Sequence, residues 1–523
     1  MGYRYYETRW FGDETGYDAA VQFPFGYGLS YTDFAWESTE PVVADGTVAL
    51  DVTVTNVGEV PGKDVVQVYF SAPYTGAIEK SAIELAGCAK TDELAPGESQ
   101  TLTVAFAVRD LASWDTGAGH HLLEAGEYDV PVRTDVHTPV ASFAVPVTAD
   151  VVYDTDADTG VAYASRFDYV EGDLTYLSRA NWDSTYPSAP DGTETASDEL
   201  LARMEPRIEP AEGEAPTYGA DNGLVLEDLL GAGFADPVWS DFLDQLTLDE
   251  QVDLFSHGAY RSVAIDRLGI PSITMLDSPA GLNSLFSPLN SAAYPTEVVI
   301  AATWNDELAY AWGESVATEA IAYGIDVWYA PGMNLHRTAM GGRGFEYFSE
   351  DPLLTGKMAA AAISGSQDQG VLTTVKHFVL NDQEINARTG VNVFASEQAL
   401  RELYLRPFEI AVKEADAAGA MTSFINLGGT WAGGNPELLQ DVLRGEWGFD
   451  GFVTTDAVLG GWMDPAQAAL HGNDWMLSAF PAVTVSAIRE AAQADPAGVG
   501  AGLRDRVHTI LHTITTSTAM GAA

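Results

Sequence analysis

Cysteine is almost missing from this sequence: Cys88 is the only one in 523 residues. That excludes an intramolecular disulfide framework and any cysteine-rich metal site. Positive charge is also scarce, with 25 Lys and Arg against 76 Asp and Glu, so the net charge is 25 − 76 = −51. A surface this acidic repels phosphate and anionic lipid, which argues against nucleic acid and membrane-surface partners and leaves neutral ligands acceptable. No run approaches the roughly 18 apolar residues of a membrane span, and Met1-Gly2-Tyr3-Arg4-Tyr5-Tyr6-Glu7 lacks a basic leader followed by an apolar core. A cytoplasmic protein is therefore expected. Apolar material itself is plentiful, with 46% hydrophobic and 11% aromatic residues. The chain is long enough for about two to four domains with real cores.

Val48, Leu50, Val52 and Val54 alternate with Thr47, Asp51, Thr53 and Thr55, the period of a strand with one buried face. Further strands at 65–70 and 102–108, separated by turns such as Pro96-Gly97, predict a β-sandwich of immunoglobulin-like type over 34–148. Residues 149–236 read as an acidic connecting segment, with 18 acidic and 4 basic residues between 151 and 235. Its aromatic and apolar side chains Phe167, Tyr169, Leu174, Tyr176, Leu177 and Trp182 are expected to pack it in part. From 237 to 523 the texture is α/β. The capping box Thr247-x-x-Glu250 opens a helix. Apolar runs 273–277, 325–334, 371–377, 420–426 and 452–456 alternate with helical stretches 305–322, 350–366 and 397–415. Repeated βα units predict a (β/α)8 TIM-type barrel with its reactive groups at the C-terminal strand ends.

Asp277, Arg343, Lys376, His377 and Asp456 all fall at or just past such ends. A carboxylate beside Lys, Arg and His is expected to stay ionised, which suits a nucleophile or an anion that binds sugar hydroxyls. Each signal alone reads equally well as an ion pair on a barrel rim. His336, His377 and Glu384 lack a metal-protease spacing, and Lys376 beside His377 would repel a divalent cation, so neither metal nor cofactor is expected. The Gly341-Gly342-Arg343-Gly344 run fits no phosphate loop and reads as a turn presenting Arg343.

The run Gly342-Arg343-Gly344-Phe345-Glu346-Tyr347-Phe348-Ser349-Glu350-Asp351-Pro352 resembles the signature of glycoside hydrolase family 3, the β-glucosidase family. Lys376-His377-Phe378, Asn381-Asp382-Gln383-Glu384 and Gly451-Phe452-Val453-Thr454-Thr455-Asp456 follow in the family's order. Asn56-Val57-Gly58, the run 62–69 and Leu94-Ala95-Pro96-Gly97-Glu98 resemble its fibronectin-III-like domain. The resemblance implies a retaining β-glycosidase acting on terminal non-reducing β-D-glycosyl residues. Asp456 would be its nucleophile, with Asp277, Arg343, Lys376 and His377 binding the sugar. It also implies that the acid/base glutamate sits on an α/β-sandwich domain, of which residues 1–33 resemble only the end. Impaired turnover is thus expected, with the acid/base absent. The histidine acid/base of the N-acetylglucosaminidase branch is not matched either, because Val379-Leu380-Asn381 follows Lys376-His377-Phe378. Ser278, Phe424 and Ala457 depart from the family's usual residues. A non-catalytic sugar-binding or remnant protein stays open as the alternative. Tyr3, Tyr5, Tyr6, Trp10 and Phe11, without their usual cover, are expected to be exposed and to favour self-association.

Overall fold

The computed structural model describes residues 2–188, 192–193, 195–284, 289–385 and 387–521. The strands Phe34–Ser38, Val42–Ala44, Thr47–Asn56 and Ser99–Ala107 form one antiparallel sheet. Pro139–Val147, Gly126–Arg133, Val65–Phe70 and Glu84–Lys90 form a second. Val48, Leu50, Val52, Val54, Val66, Val68, Val130 and Val132 fill the space between them. On the wet face of the first sheet, Thr53 bonds Thr101, Thr55 bonds Ser99, and Thr103 donates to Asp51. This is the division of faces that the alternation predicts.

The acidic segment is tied down more firmly than its composition suggests. Phe167 and Val170 are buried, and the amides of Arg166 and Phe167 donate to the Glu397 carboxylate. The Arg166 side chain reaches Asp441 and Glu446. Leu174, expected to pack, is exposed.

The N-terminal expectation needs correction. Tyr3, in the helix Gly2–Arg9, is only 4% exposed and stacks on Phe25 with ring centroids 4.5 Å apart. Its hydroxyl donates to Asp351 Oδ2 (2.8 Å) and accepts from the Leu85 amide (2.9 Å). Tyr5 meets Trp182 edge-on, and the Arg9 guanidinium lies between Trp10 and Trp182. Phe11 does project into solvent, at 73% exposure. Tyr6 is exposed as well, at 40%, and Tyr5 and Trp10 are half-buried, so only the Tyr3 end of this aromatic face is covered.

In the α/β region the strands Met275–Asp277, Val327–Tyr329, Leu372–Phe378, Gly419–Thr422 and Phe452–Thr455 pair in that order, all parallel. The helices Asp306–Tyr323 and Pro352–Gln367 connect them as the spacing predicts. Eight regular parallel strands are not reached among the described residues. Past Phe452–Thr455 there is only a parallel bridge from Thr454 to Trp475, then antiparallel bridges from Leu477 to His257 and from Arg261 to Thr274. The antiparallel turn has a physical cause. Only a short turn over Asp266–Leu268 links 262 to 273, closed by the Ile265–Ile270 bridge, whereas a parallel neighbour needs a crossover of a dozen or more residues.

Candidate active site

The parallel register carries four of the five candidate residues to one end of the sheet, Arg343 lying in a loop before the turn Gly344–Glu346. Asp277 ends its strand, Lys376 and His377 lie near the end of Leu372–Phe378, and Asp456 follows Phe452–Thr455 directly. Lys376, almost fully buried, donates from Nζ to Asp277 Oδ1 at 2.5 Å. The Asp277 side chain is 46% exposed and so opens toward solvent. Burial opposes its ionisation, but Lys376, the Ser278 amide and Arg343 outweigh it and hold the carboxyl below its ordinary range.

Arg343 is not the free cation that a glycine turn would present. Its Nε pairs with Glu346 and its Nη1 with Glu384 Oε1 at 3.0 Å. Glu384 also takes Arg388 Nη1 (2.5 Å) and Asn381 Nδ2 (2.6 Å). The imidazole of His377 stands between Tyr347 Oη, 3.3 Å from its Nδ1, and Asp456 Oδ2, 3.6 Å from its Nε2. Burial, then Arg343, Lys376 and Arg388, push its pKa well below the usual histidine range. It faces Asp456 as a neutral ring. Asn334 fixes the backbone beneath it, with Oδ1 accepting from the His377 amide and Nδ2 donating to its carbonyl.

Asp456 differs from expectation in its titration. Oδ1 accepts from the Ala457 amide at 2.7 Å, while buried Oδ2 has no hydrogen-bond partner among the described residues. Burial raises its pKa to about 6 against the pull of Arg343, the Ala457 amide, Arg388 and Lys376. Desolvation thus outweighs three nearby cations, since all three already share their charge with Glu346, Glu384 or Asp277.

Sequence reasoning missed Asn334, Arg388 and Tyr260. Arg388 carries a faint signal, lying four residues after Glu384. Tyr260 carries none: its left-handed backbone (φ 64°) turns it toward Asp277 and Asp456, both of which help burial raise its phenol pKa. A cleft of about 1050 Å³ borders the Arg343 loop, lined by Tyr5, His336, Met340, Gly342, Gly344 and Phe345.

Residues 242–478 match the glycosyl hydrolase family 3 N-terminal domain, and residues 64–136 match the fibronectin type III-like domain. Beta-glucosidase A of Butyrivibrio fibrisolvens is 33% identical over 512 residues, covering 91% of this chain and 60% of that protein. A beta-glucosidase of Ruminococcus albus is 37% identical over 478 residues, covering 87% and 47%. Among solved structures, a beta-glucosidase from Paenibacillus barengoltzii superposes with a TM-score of 0.79 at 29% identity, over 99% of this chain and 58% of that one. Beta-glucosidase 3B from Thermotoga neapolitana, solved with α-D-glucose, gives 0.51 at 34% identity, over 54% and 43%. The chain therefore spans between two fifths and three fifths of the length of these relatives.

Proposed function

Because the chain belongs to glycoside hydrolase family 3, we propose that it is built to cleave terminal β-D-glucosyl residues with retention, Asp456 acting as nucleophile. The observation that carries this reading is the state of Asp456: one oxygen is held by an amide, the other is unpartnered, and a pKa of about 6 leaves the group mostly ionised at neutral pH. Such a carboxylate has a lone pair free to attack an anomeric carbon. Neutral His377 lies beside it without neutralising it. Lys376, ionised Asp277 and Arg343 would hold the sugar hydroxyls through charge-assisted hydrogen bonds. The relatives' names and the bound glucose of the Thermotoga protein support glucose as the sugar. We read the five parallel strands, together with the bridges through 257–261 and 475–477, as an irregular form of the (β/α)8 barrel.

Retaining hydrolysis also needs a protonated carboxyl about 5–5.5 Å from the nucleophile. Asp277, Glu346 and Glu384 are each paired with a cation, so none of them suits this task. We therefore infer that the general acid lies outside this cluster. General acid catalysis contributes about 10²–10⁴-fold and matters least when the leaving group departs unaided. A dinitrophenyl β-glucoside should glycosylate Asp456 while cellobiose is turned over slowly, and azide should speed release as the β-glycosyl azide. Intact-protein mass spectrometry with a 2-fluoro sugar should place the label on the peptide containing Asp456. Labelling that persists in Asp456→Ala refutes the nucleophile. Inertness toward the activated substrate, with glucose still bound, favours a sugar-binding protein instead.

A further inference from the structure

Behind this cluster lies an acid that none of the roles above uses. Glu297 opens the short helix Glu297–Ala301, is 0% exposed, and neither carboxyl oxygen has a hydrogen-bond partner among the described residues. The amides of Gly332 and of Glu297 itself favour its ionised form from nearby but close no hydrogen bond. Glu346 Oε2 is likewise buried and unpartnered, 4.0 Å from Lys376 Nζ, while Oε1 takes Arg343. Glu346 and Lys376 are the charged side chains that act on Glu297. The helices Asp306–Tyr323 and Pro352–Gln367, also packed on Glu297–Ala301, direct their charges elsewhere. Asp306, Glu307 and Glu314 are exposed, Glu319 accepts from the Ala292 amide, and Lys357 pairs with Glu414.

Two carboxyls packed together out of water do not both ionise. Burial is the main force holding Glu297 in its acid form. Its own amide opposes this, and the charge of Glu346 reinforces it. The helix Glu297–Ala301 packs against the turn Gly344–Glu346, which is the contact that sets the two residues side by side. Resting on the glycosidase reading, we propose that Glu297 is a positioning residue: its carboxylic O–H donates to Glu346 Oε2 and so fixes the carboxylate that orients Arg343 and Lys376 toward the sugar.

Infrared spectroscopy tests the proton directly. At pH 7 the wild-type minus Glu297→Gln difference spectrum, in which the bands of other protonated carboxyls such as Glu402 cancel, should show the carbonyl band of a buried carboxylic acid, as should wild type minus Glu297→Ala, and Glu346→Gln should shift that band. Calorimetry tests the positioning. Glu297→Gln keeps a donor of the same shape and should bind glucose nearly as the wild type does, whereas Glu297→Ala should lose roughly ten- to hundredfold in affinity, the size of a hydrogen bond to a charged group. Because a raised carboxyl loses its contribution to stability as pH climbs toward its folded pKa, the melting temperature of Glu297→Gln should gain on the wild type from pH 5 to pH 9. A difference spectrum without that band, or a band unmoved in Glu346→Gln, overturns the proposal, as does a folded Glu297→Ala with wild-type glucose affinity. If the wild type binds no glucose, the glycosidase reading fails, while the band and the melting difference still decide the shared proton.

Discussion

Asp456 illustrates how a single residue's surroundings set its state. The sequence places a carboxylate beside Lys, Arg and His, and three cations do act on it, yet burial wins and the pKa rises to about 6. The sign for stability follows from that direction. A carboxyl whose folded pKa lies above its unfolded value of about 3.9 contributes fully only below that lower value, and the contribution is lost as pH rises through 6. Asp456→Asn should therefore match the wild type in stability near pH 4 and exceed it at pH 7 by on the order of 2 kcal/mol. Thermal unfolding at the two pH values reads this difference. The same titration should give the wild type an activity limb that rises through pH 6 on an activated glucoside. Which residues gather was legible from motif order. How they titrate was not, because desolvation depends on what covers a side chain and no local pattern encodes that.

Among elements, the apolar runs and their polar ends were legible because strand period and helix caps are local chemistry. The Thr247–Glu250 capping box forms as read, with the Thr247 side chain accepting from the Glu250 amide and Glu250 returning to the Thr247 amide. Thr247→Ala should cost about 1 kcal/mol in chemical denaturation. In the N-terminal helix Tyr3 was expected exposed and is buried, because its partners are remote in sequence. Tyr3 joins the Leu85 amide of the sandwich to Asp351, the residue that caps the helix Pro352–Gln367. Tyr3→Phe leaves both groups short of one partner in a buried place and should cost about 1–3 kcal/mol. An unchanged denaturation midpoint would show the Tyr3 hydroxyl to be dispensable.

At the scale of the whole molecule, the sandwich and the α/β region are clamped by a hydrogen bond, a cation–π contact and an ion pair. Glu402 accepts from the Trp114 amide of the sandwich at 2.6 Å, the Arg401 guanidinium covers the Trp114 ring at 4.0 Å, and Arg406 pairs with Asp110 at 3.0 Å. Burial, with Glu84 adding, raises Glu402 to about 8. Its contribution is complete below the ordinary carboxyl range and is lost as pH rises through 8, so Glu402→Gln should become the more stable protein on the alkaline side. A gap on the order of 2 kcal/mol is expected between pH 5 and pH 9, read from paired melting curves. A gap that stays constant with pH would mean that Glu402 is already ionised at the interface.

The two kinds of layer, the strand ends that carry Asp277, Lys376, His377 and Asp456, and the family resemblance were legible in the sequence, because period-two alternation, capping and long motifs are written in neighbouring residues. It took the packed fold to show that the sheet turns antiparallel at 257–261, that Arg343 is held by Glu346 and Glu384, and that Asn334, Tyr347 and Tyr260 surround the site. The same packing places Glu297 dry beside Glu346. These are contacts between segments tens to hundreds of residues apart. They are fixed by how the covered surfaces pack, and burial then sets which of the gathered carboxyls keeps its proton.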